Sequence, residues 1–255
     1  MISLSPMRRV AVLLCVAAVV SLAATSASAA EFSAQQRQAI EGIVKDYLAS
    51  HPEIVVDALQ AADAKMKGQA QDKAASALTT HRREVFDDPA SPVGGNPEGD
   101  VTLVEFFDYR CPYCKQVEPA LESLLRQDHD LRIVYKEFPV LGPASVTAAK
   151  AALAAQKQGK FAAFHRAMMA LKGQIDDAAV FTVAGSVGLR VGRLKREMQD
   201  PAITQQLKAN FALAEALNID GTPGFVIGDQ IVPGAIGLDD LKELIAATRK
   251  QAPRG

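Results

Sequence analysis

The 255 residues carry 28 lysines and arginines against 29 aspartates and glutamates, a formal charge of -1, and 49% of them are apolar. Such a balance offers no basic surface for nucleic acid, and the composition is that of a globular chain rather than a disordered tail. A domain of this length buries enough apolar surface to need no disulfide staple, so its three cysteines call for another explanation.

The chain opens with Arg8 and Arg9, an apolar run from Val10 to Val20, and the small-residue stretch Ala24-Thr25-Ser26-Ala27-Ser28-Ala29-Ala30. This is the layout of a cleavable secretory signal over residues 1–29, and the apolar run is shorter than the roughly 20 residues a spanning helix needs. Cleavage after Ala29 removes Cys15 and leaves 26 basic against 29 acidic residues, a formal charge of -3. Export implies an oxidising compartment.

A helical arm is expected next, over residues 30–88. Ser33 followed by Gln36 has the form of a capping box, and Ile40, Ile43, Val44, Tyr47 and Leu48 recur at helical spacing. His51-Pro52 breaks this helix, and Pro52 suits the first turn of a second one running to Phe86, ~50 Å long at 1.5 Å per residue. Its thin stripe of Val55, Leu59, Met66 and Leu78 approximates a coiled-coil seam, which makes residues 33–86 a candidate homo-oligomerisation element, as dimer or trimer. Gln69 and Lys73 interrupt the heptads, so a helix folded back on its own chain is the competing expectation.

Residues 89–100 are rich in Pro, Gly and Asn and are expected to be a linker. From there to residue 250 the pattern is α/β. Val101 to Phe107 reads as a buried strand, Pro112 to about Gln127 as a helix, and Leu131 to Phe138 as a second strand, together a βαβ unit. Residues 143–218 show helical periodicity throughout, enough for four or five helices inserted between strands. Phe225–Gly228 and Gln230–Val232 form a hairpin around Gly228-Asp229, and Leu238 to Arg249 is a closing amphipathic helix.

The chemistry is expected where the first strand meets its helix, at Cys111-Pro112-Tyr113-Cys114. Two cysteines three residues apart close almost no loop, so as a staple they do little. At a helix start, unpaired N–H groups and the helix dipole favour a thiolate, which attacks disulfides. Cys111 at the helix start is the expected nucleophile and Cys114, one turn further in, the expected resolving thiol. Pro112 fits the first helical turn, and Tyr113 lies between the sulfurs. Glu105 is an acid on an otherwise apolar strand; it is either a strand-end acid paired with Lys136 or Lys115, or a proton relay for Cys114. His51, His81, His129 and His165 are scattered and are read as caps or surface residues. Together with two cysteines they supply no four-ligand zinc site, although two thiolates at Cys111 and Cys114 can accept copper(I). No cofactor is called for.

Val104 to Lys115 (Val-Glu-Phe-Phe-Asp-Tyr-Arg-Cys-Pro-Tyr-Cys-Lys), the later Gly221-Thr222-Pro223-Gly224 and the helical block between them resemble the DsbA-like branch of the thioredoxin superfamily. The arm, with Tyr47-Leu48-Ala49-Ser50-His51-Pro52-Glu53-Ile54 at its centre, resembles the ScsC (suppressor of copper sensitivity) type. The resemblance implies a thioredoxin fold with an inserted helical domain and thiol-disulfide exchange in the periplasm. It also implies a buried acid at Glu105 beneath the dithiol, and a cis bond at Thr222-Pro223 that sets Thr222 to pair with a bound peptide. The histidine of the strongly oxidising DsbA pattern is missing between the cysteines, Pro-Tyr is also the glutaredoxin pair, and Thr222 resembles the isomerase side of the superfamily. The leading expectation is an oligomeric disulfide isomerase or reductase acting on unfolded or misbridged exported proteins and reset by a membrane redox partner. The alternatives are a monomeric disulfide oxidase and a copper(I) carrier.

Overall fold

A computed structural model of the chain describes residues 32–251. The expected secretory signal at 1–29, with Cys15, lies outside the described residues. Among those described, no helix is long and apolar enough to cross a membrane. The chain divides into two compact units, one ending at Ala62 and the other beginning at Asp63.

The first unit contains α1 (Ala34–Ser50) and the opening turns of α2 (Pro52–Thr80). Ser33 caps α1 as expected: its hydroxyl accepts from the Gln36 N–H at 3.2 Å, and its own N–H donates to the Gln36 side chain at 2.9 Å. At the other end the His51 N–H donates to the Tyr47 carbonyl, and Pro52 opens α2 where a missing N–H costs nothing. No residue of α1 is buried, and Ile40, Ile43, Val44, Tyr47, Ile54, Val55, Val56 and Leu59 all stand exposed.

The expected single helix from Pro52 to Phe86 is interrupted. α2 ends at Thr80, and α3 (Arg82–Phe86) follows after His81. The hydroxyls of Thr79 and Thr80 bond back to the carbonyls of Ala75 and Ser76, a local competition that bends helices. After this break Val85 and Phe86 are buried, and with Leu78 they join a core cluster under the sheet.

That sheet has five strands in the order β1-β3-β2-β4-β5, made of β1 (Val93–Gly95), β2 (Val101–Phe107), β3 (Leu131–Glu137), β4 (Gly224–Ile227) and β5 (Gln230–Pro233). β2 and β3 are parallel and joined by α4 (Pro112–Gln127), while the other pairs are antiparallel. Residues 93–95, expected as linker, form the edge strand β1, which pairs with β3 from Val93–Val134 to Gly95–Arg132. Their glycines hid the strand. Gly95 has φ +74°, and a Cβ there would lie 2.3 Å from the Leu131 carbonyl oxygen, so close approach to β3 requires glycine.

Five helices, α5 (Pro143–Gln156), α6 (Phe161–Ala170), α7 (Asp177–Ser186), α8 (Val191–Glu197) and α9 (Pro201–Ala216), lie between β3 and β4. The hairpin of β4 and β5 and a final helix, α10 (Leu238–Gln251), close the chain as expected. The central strand β2 is covered on both sides, which is why it reads as an almost continuous apolar run. Val101, Leu103 and Phe107 face the cluster that holds α4, while Val104 and Phe106 face the cluster of Leu78, Val85 and Phe86. Alternation along a strand then puts Glu105 on the α4 side, the side of both cysteines.

In a chain beginning at Asp63, Leu78→Ala is expected to lower the unfolding free energy by about 2–5 kcal/mol, the cost of a large-to-small change in a core. Urea unfolding followed by circular dichroism checks this; a change below about 0.5 kcal/mol, as at a surface position, would detach residues 78–86 from the core.

Candidate active site

Cys111 is the N-cap of α4, with φ -72° and ψ 118°, and Pro112 is the first helical residue. The cap geometry leaves the N–H groups of the first turn without helical partners, so a sulfur anion at Cys111 faces the positive end of the helix. The loop that presents it is tied down by Asp108. One carboxylate oxygen accepts from the Arg110 N–H at 2.8 Å and the other from the Leu141 N–H at 2.9 Å, while the Asp108 carbonyl accepts from the Cys111 N–H at 3.0 Å.

The Cys111 thiol donates to the Thr222 carbonyl at 3.1 Å, across 111 residues of sequence. Thr222-Pro223 is cis, as the sequence resemblance implies. Cys111 keeps 4% exposure, Cys114 none, and Tyr113 between them is open to solvent at 59%. The two thiols are free. Burial, and then the neighbouring Glu105, push the Cys114 thiol far above its ordinary range.

Glu105 is completely buried, and neither carboxylate oxygen has a hydrogen-bond partner. Burial holds its carboxyl well above the usual range, with the nearby Glu118 and then Cys111 adding to the effect. The expected pairing with Lys136 or Lys115 is not found. Lys136 is buried on the other side of the sheet, where its ammonium donates to the Glu84 carbonyl, Asp88 and Ser91 at 2.6, 3.1 and 2.8 Å. Lys115 caps the end of α6, donating to the carbonyls of Met168, Met169 and Leu171. Each ammonium went where several acceptors converge, and Glu105 was left alone.

Four further buried polar groups lie on the α4 side of the sheet. Glu118 on α4 contacts His165 Nε2 at 3.3 Å, the Tyr109 hydroxyl lies 3.1 Å from His165 Nδ1, and that hydroxyl donates to Glu137 at 3.2 Å. His165, read from sequence as a cap or surface residue, is 1% exposed. A signal for it existed: Phe161, Phe164, His165 and Met168 share one buried face at i, i+3, i+4 and i+7, as do Cys114, Val117, Glu118 and Leu121 on α4. A polar residue inside a core stripe marks a buried network.

What the arrangement can do is two-step thiol chemistry, with one sulfur at a helix start, a second enclosed behind it, an uncompensated carboxyl beneath, and a backbone carbonyl poised alongside. Among the described residues no group of three or more His, Cys, Asp and Glu is placed to hold a metal ion.

Comparison with known proteins gives the same picture. The model of the DSBA-like thioredoxin domain matches residues 102–246, and that of the copper resistance protein ScsC N-terminal domain matches residues 36–67. A thioredoxin-like oxidoreductase from Silicibacter pomeroyi is 45% identical, with a TM-score of 0.66 over 67% of this chain and 99% of that one. ScsC of Proteus mirabilis, in a transitional conformation, is 32% identical, with a TM-score of 0.65 over 88% of this chain and all of that one. The Na(+)/H(+) antiporter NhaA 1 of Salinispora arenicola is 29% identical over 157 residues, and the chain spans only 24% of that protein's length. The chain belongs to the family of DSBA-like thioredoxin domains, thiol-disulfide oxidoreductases of the DsbA and ScsC type.

Proposed function

We propose that this protein rearranges or reduces disulfides in exported proteins, in the periplasm, as a homo-oligomer assembled through its N-terminal arm. The observation that carries the reading is the alignment of Cys111, Cys114 and Glu105, with the Thr222 carbonyl beside the outer sulfur.

The Cys111 thiolate attacks a substrate disulfide; one substrate sulfur leaves as a thiolate and takes a proton from solvent, and a mixed disulfide remains. Cys114 then gives its proton to the Glu105 carboxylate and attacks the Cys111 sulfur. The second substrate sulfur leaves, the Cys111–Cys114 disulfide closes, and the substrate has gained two electrons. A membrane redox partner returns the protein to its dithiol form. In isomerisation the substrate's own freed thiolate attacks elsewhere in its chain and finally displaces Cys111 before Cys114 acts. The Thr222 backbone offers a bound segment a strand edge, which holds it in line with Cys111.

Assembly is supported by the first unit, whose apolar side chains from Ile40 to Leu59 are exposed. A patch of that kind is an interaction surface rather than a solvated face. Several dithiols around one misfolded chain favour rearrangement over simple oxidation.

A refolding assay with a scrambled-disulfide substrate tests the reading. The chain from residue 30 is expected to restore activity, Cys111→Ala to abolish it, and a chain beginning at Asp63 to keep dithiol exchange while losing isomerisation and the oligomer seen by light scattering. Isomerisation that survives removal of the arm would defeat the assembly proposal.

Glu105→Gln is expected to slow closure of the internal disulfide by on the order of 10²-fold at neutral pH, the lower end of what a positioned proton acceptor supplies. The same change is expected to stabilise the fold. Because the folded-state carboxyl holds its proton to a higher pH than the unfolded one, wild-type stability falls as pH rises above the usual carboxylate range. The advantage of Glu105→Gln therefore widens over that interval, by about 1.4 kcal/mol per pH unit, and levels off above the folded-state value. Urea titrations at stepped pH check the sign.

A further inference from the structure

Beneath the dithiol, Glu118, His165, Tyr109 and Glu137 form one hydrogen-bonded string across three elements, α4, α6 and β3, and the loop before α4. Its polarity is fixed from one end. The Tyr109 hydroxyl spends its single proton on Glu137, so its oxygen accepts from His165, and Nδ1 is the donor. That leaves the contact between His165 Nε2 and the Glu118 carboxyl to hold one proton between them. Whichever atom carries it, imidazolium beside carboxylate or imidazole beside carboxylic acid, the pair has no net charge.

Glu118 is the carboxyl whose charge acts on Glu105. Bare, it would keep Glu105 protonated and unable to take the proton of Cys114. We propose that His165 is a positioning residue for thiol exchange, which by sharing a proton with Glu118 offsets part of the charge facing Glu105 and keeps Glu105 available as proton acceptor.

His165 is built for this and little else. It is enclosed by Phe107 at 4.9 Å, Phe161 at 5.3 Å and Tyr135 at 4.6 Å between ring centroids, so no water competes for its nitrogens. The titratable and charged groups around the pair and Glu105 are Cys111, which caps α4, Cys114 and Glu122 on α4, Tyr135 and Glu137 on β3, Arg166 on α6 and Tyr109. Arg166, the one permanent cation of the set, is exposed, whereas His165 is buried and in contact with Glu118. His165 is therefore the group that can answer Glu118.

The inference rests on the proposed role of Glu105, and the test separates the two. The full chain is loaded at Cys111 with 5-thio-2-nitrobenzoate, and its release by Cys114 is followed by absorbance across pH. In the wild type the rate rises along a limb that reports ionisation of Glu105. His165→Gln is expected to move this limb up by about one pH unit or more, a tenfold loss of rate at a fixed pH below it. Glu118→Gln/His165→Gln is expected to return it to the wild-type position, because the anion has gone as well. Should His165→Gln fail to fold, Tyr109→Phe serves: it frees Nδ1 of its acceptor, lets the imidazole donate from Nε2 to ionised Glu118, and is expected to shift the limb in the same direction by less. An unmoved limb in the single variants, or a shift that persists in the double variant, would overturn the inference. A limb that survives Glu105→Gln would instead defeat the role of Glu105 itself, and this inference with it.

Discussion

A carboxyl group enclosed without a hydrogen bond is the constraint on which the rest of the structure turns. An unsatisfied buried polar group costs about 1–3 kcal/mol, and more if charged. Glu105 bears that cost on the central strand, where β3 and β4 flank it in the sheet and helices cover both faces. The same enclosure gives the carboxyl its high proton affinity and places it beside a thiol that burial has made reluctant to ionise. Two groups that each disfavour charge exchange one proton more readily than either loses it to water.

Much of the fold exists to keep that arrangement fixed. α4 starts at Pro112 so that Cys111 caps it and Cys114 faces inward one turn later. Asp108 clamps the loop from both sides, Lys115 ties α4 to the end of α6, and Thr222 meets Cys111 from the far end of the helical insertion. The insertion adds more than a lid, since His165 comes from its second helix and completes the polar string.

The α/β unit was legible because its elements follow simple periodicities. β2 is a largely apolar run of seven residues, β3 carries Leu131, Ile133, Val134 and Tyr135, and the capping box at Ser33 appears where expected. Cys111, Cys114 and Glu105 could be chosen from their types and spacing, whereas Thr222-Pro223 needed the family resemblance, since few Xaa-Pro bonds are cis. β1 was hidden by glycines that look like a linker and are there for close approach to β3. The helix break at His81 follows two threonine hydroxyls that bond back into the helix ladder and precedes the core residues Val85 and Phe86, neither of which a heptad count registers. His165 and Glu118 were missed for a different reason. Each was weighed by its residue type, and its position on a buried stripe was the stronger signal.

The central claim is that the Glu105 carboxyl holds its proton to an unusually high pH and that its ionised form takes the proton of Cys114. Infrared difference spectroscopy of the carboxyl stretch, in wild type and Glu105→Gln, tests this most directly when followed across pH in the reduced and oxidised states. The account predicts a protonated-carboxyl band that persists well above the usual carboxylate range, vanishes in Glu105→Gln and shifts when the dithiol closes. A Glu105 that ionises in the ordinary range and ignores the redox state of Cys111 and Cys114 would contradict it.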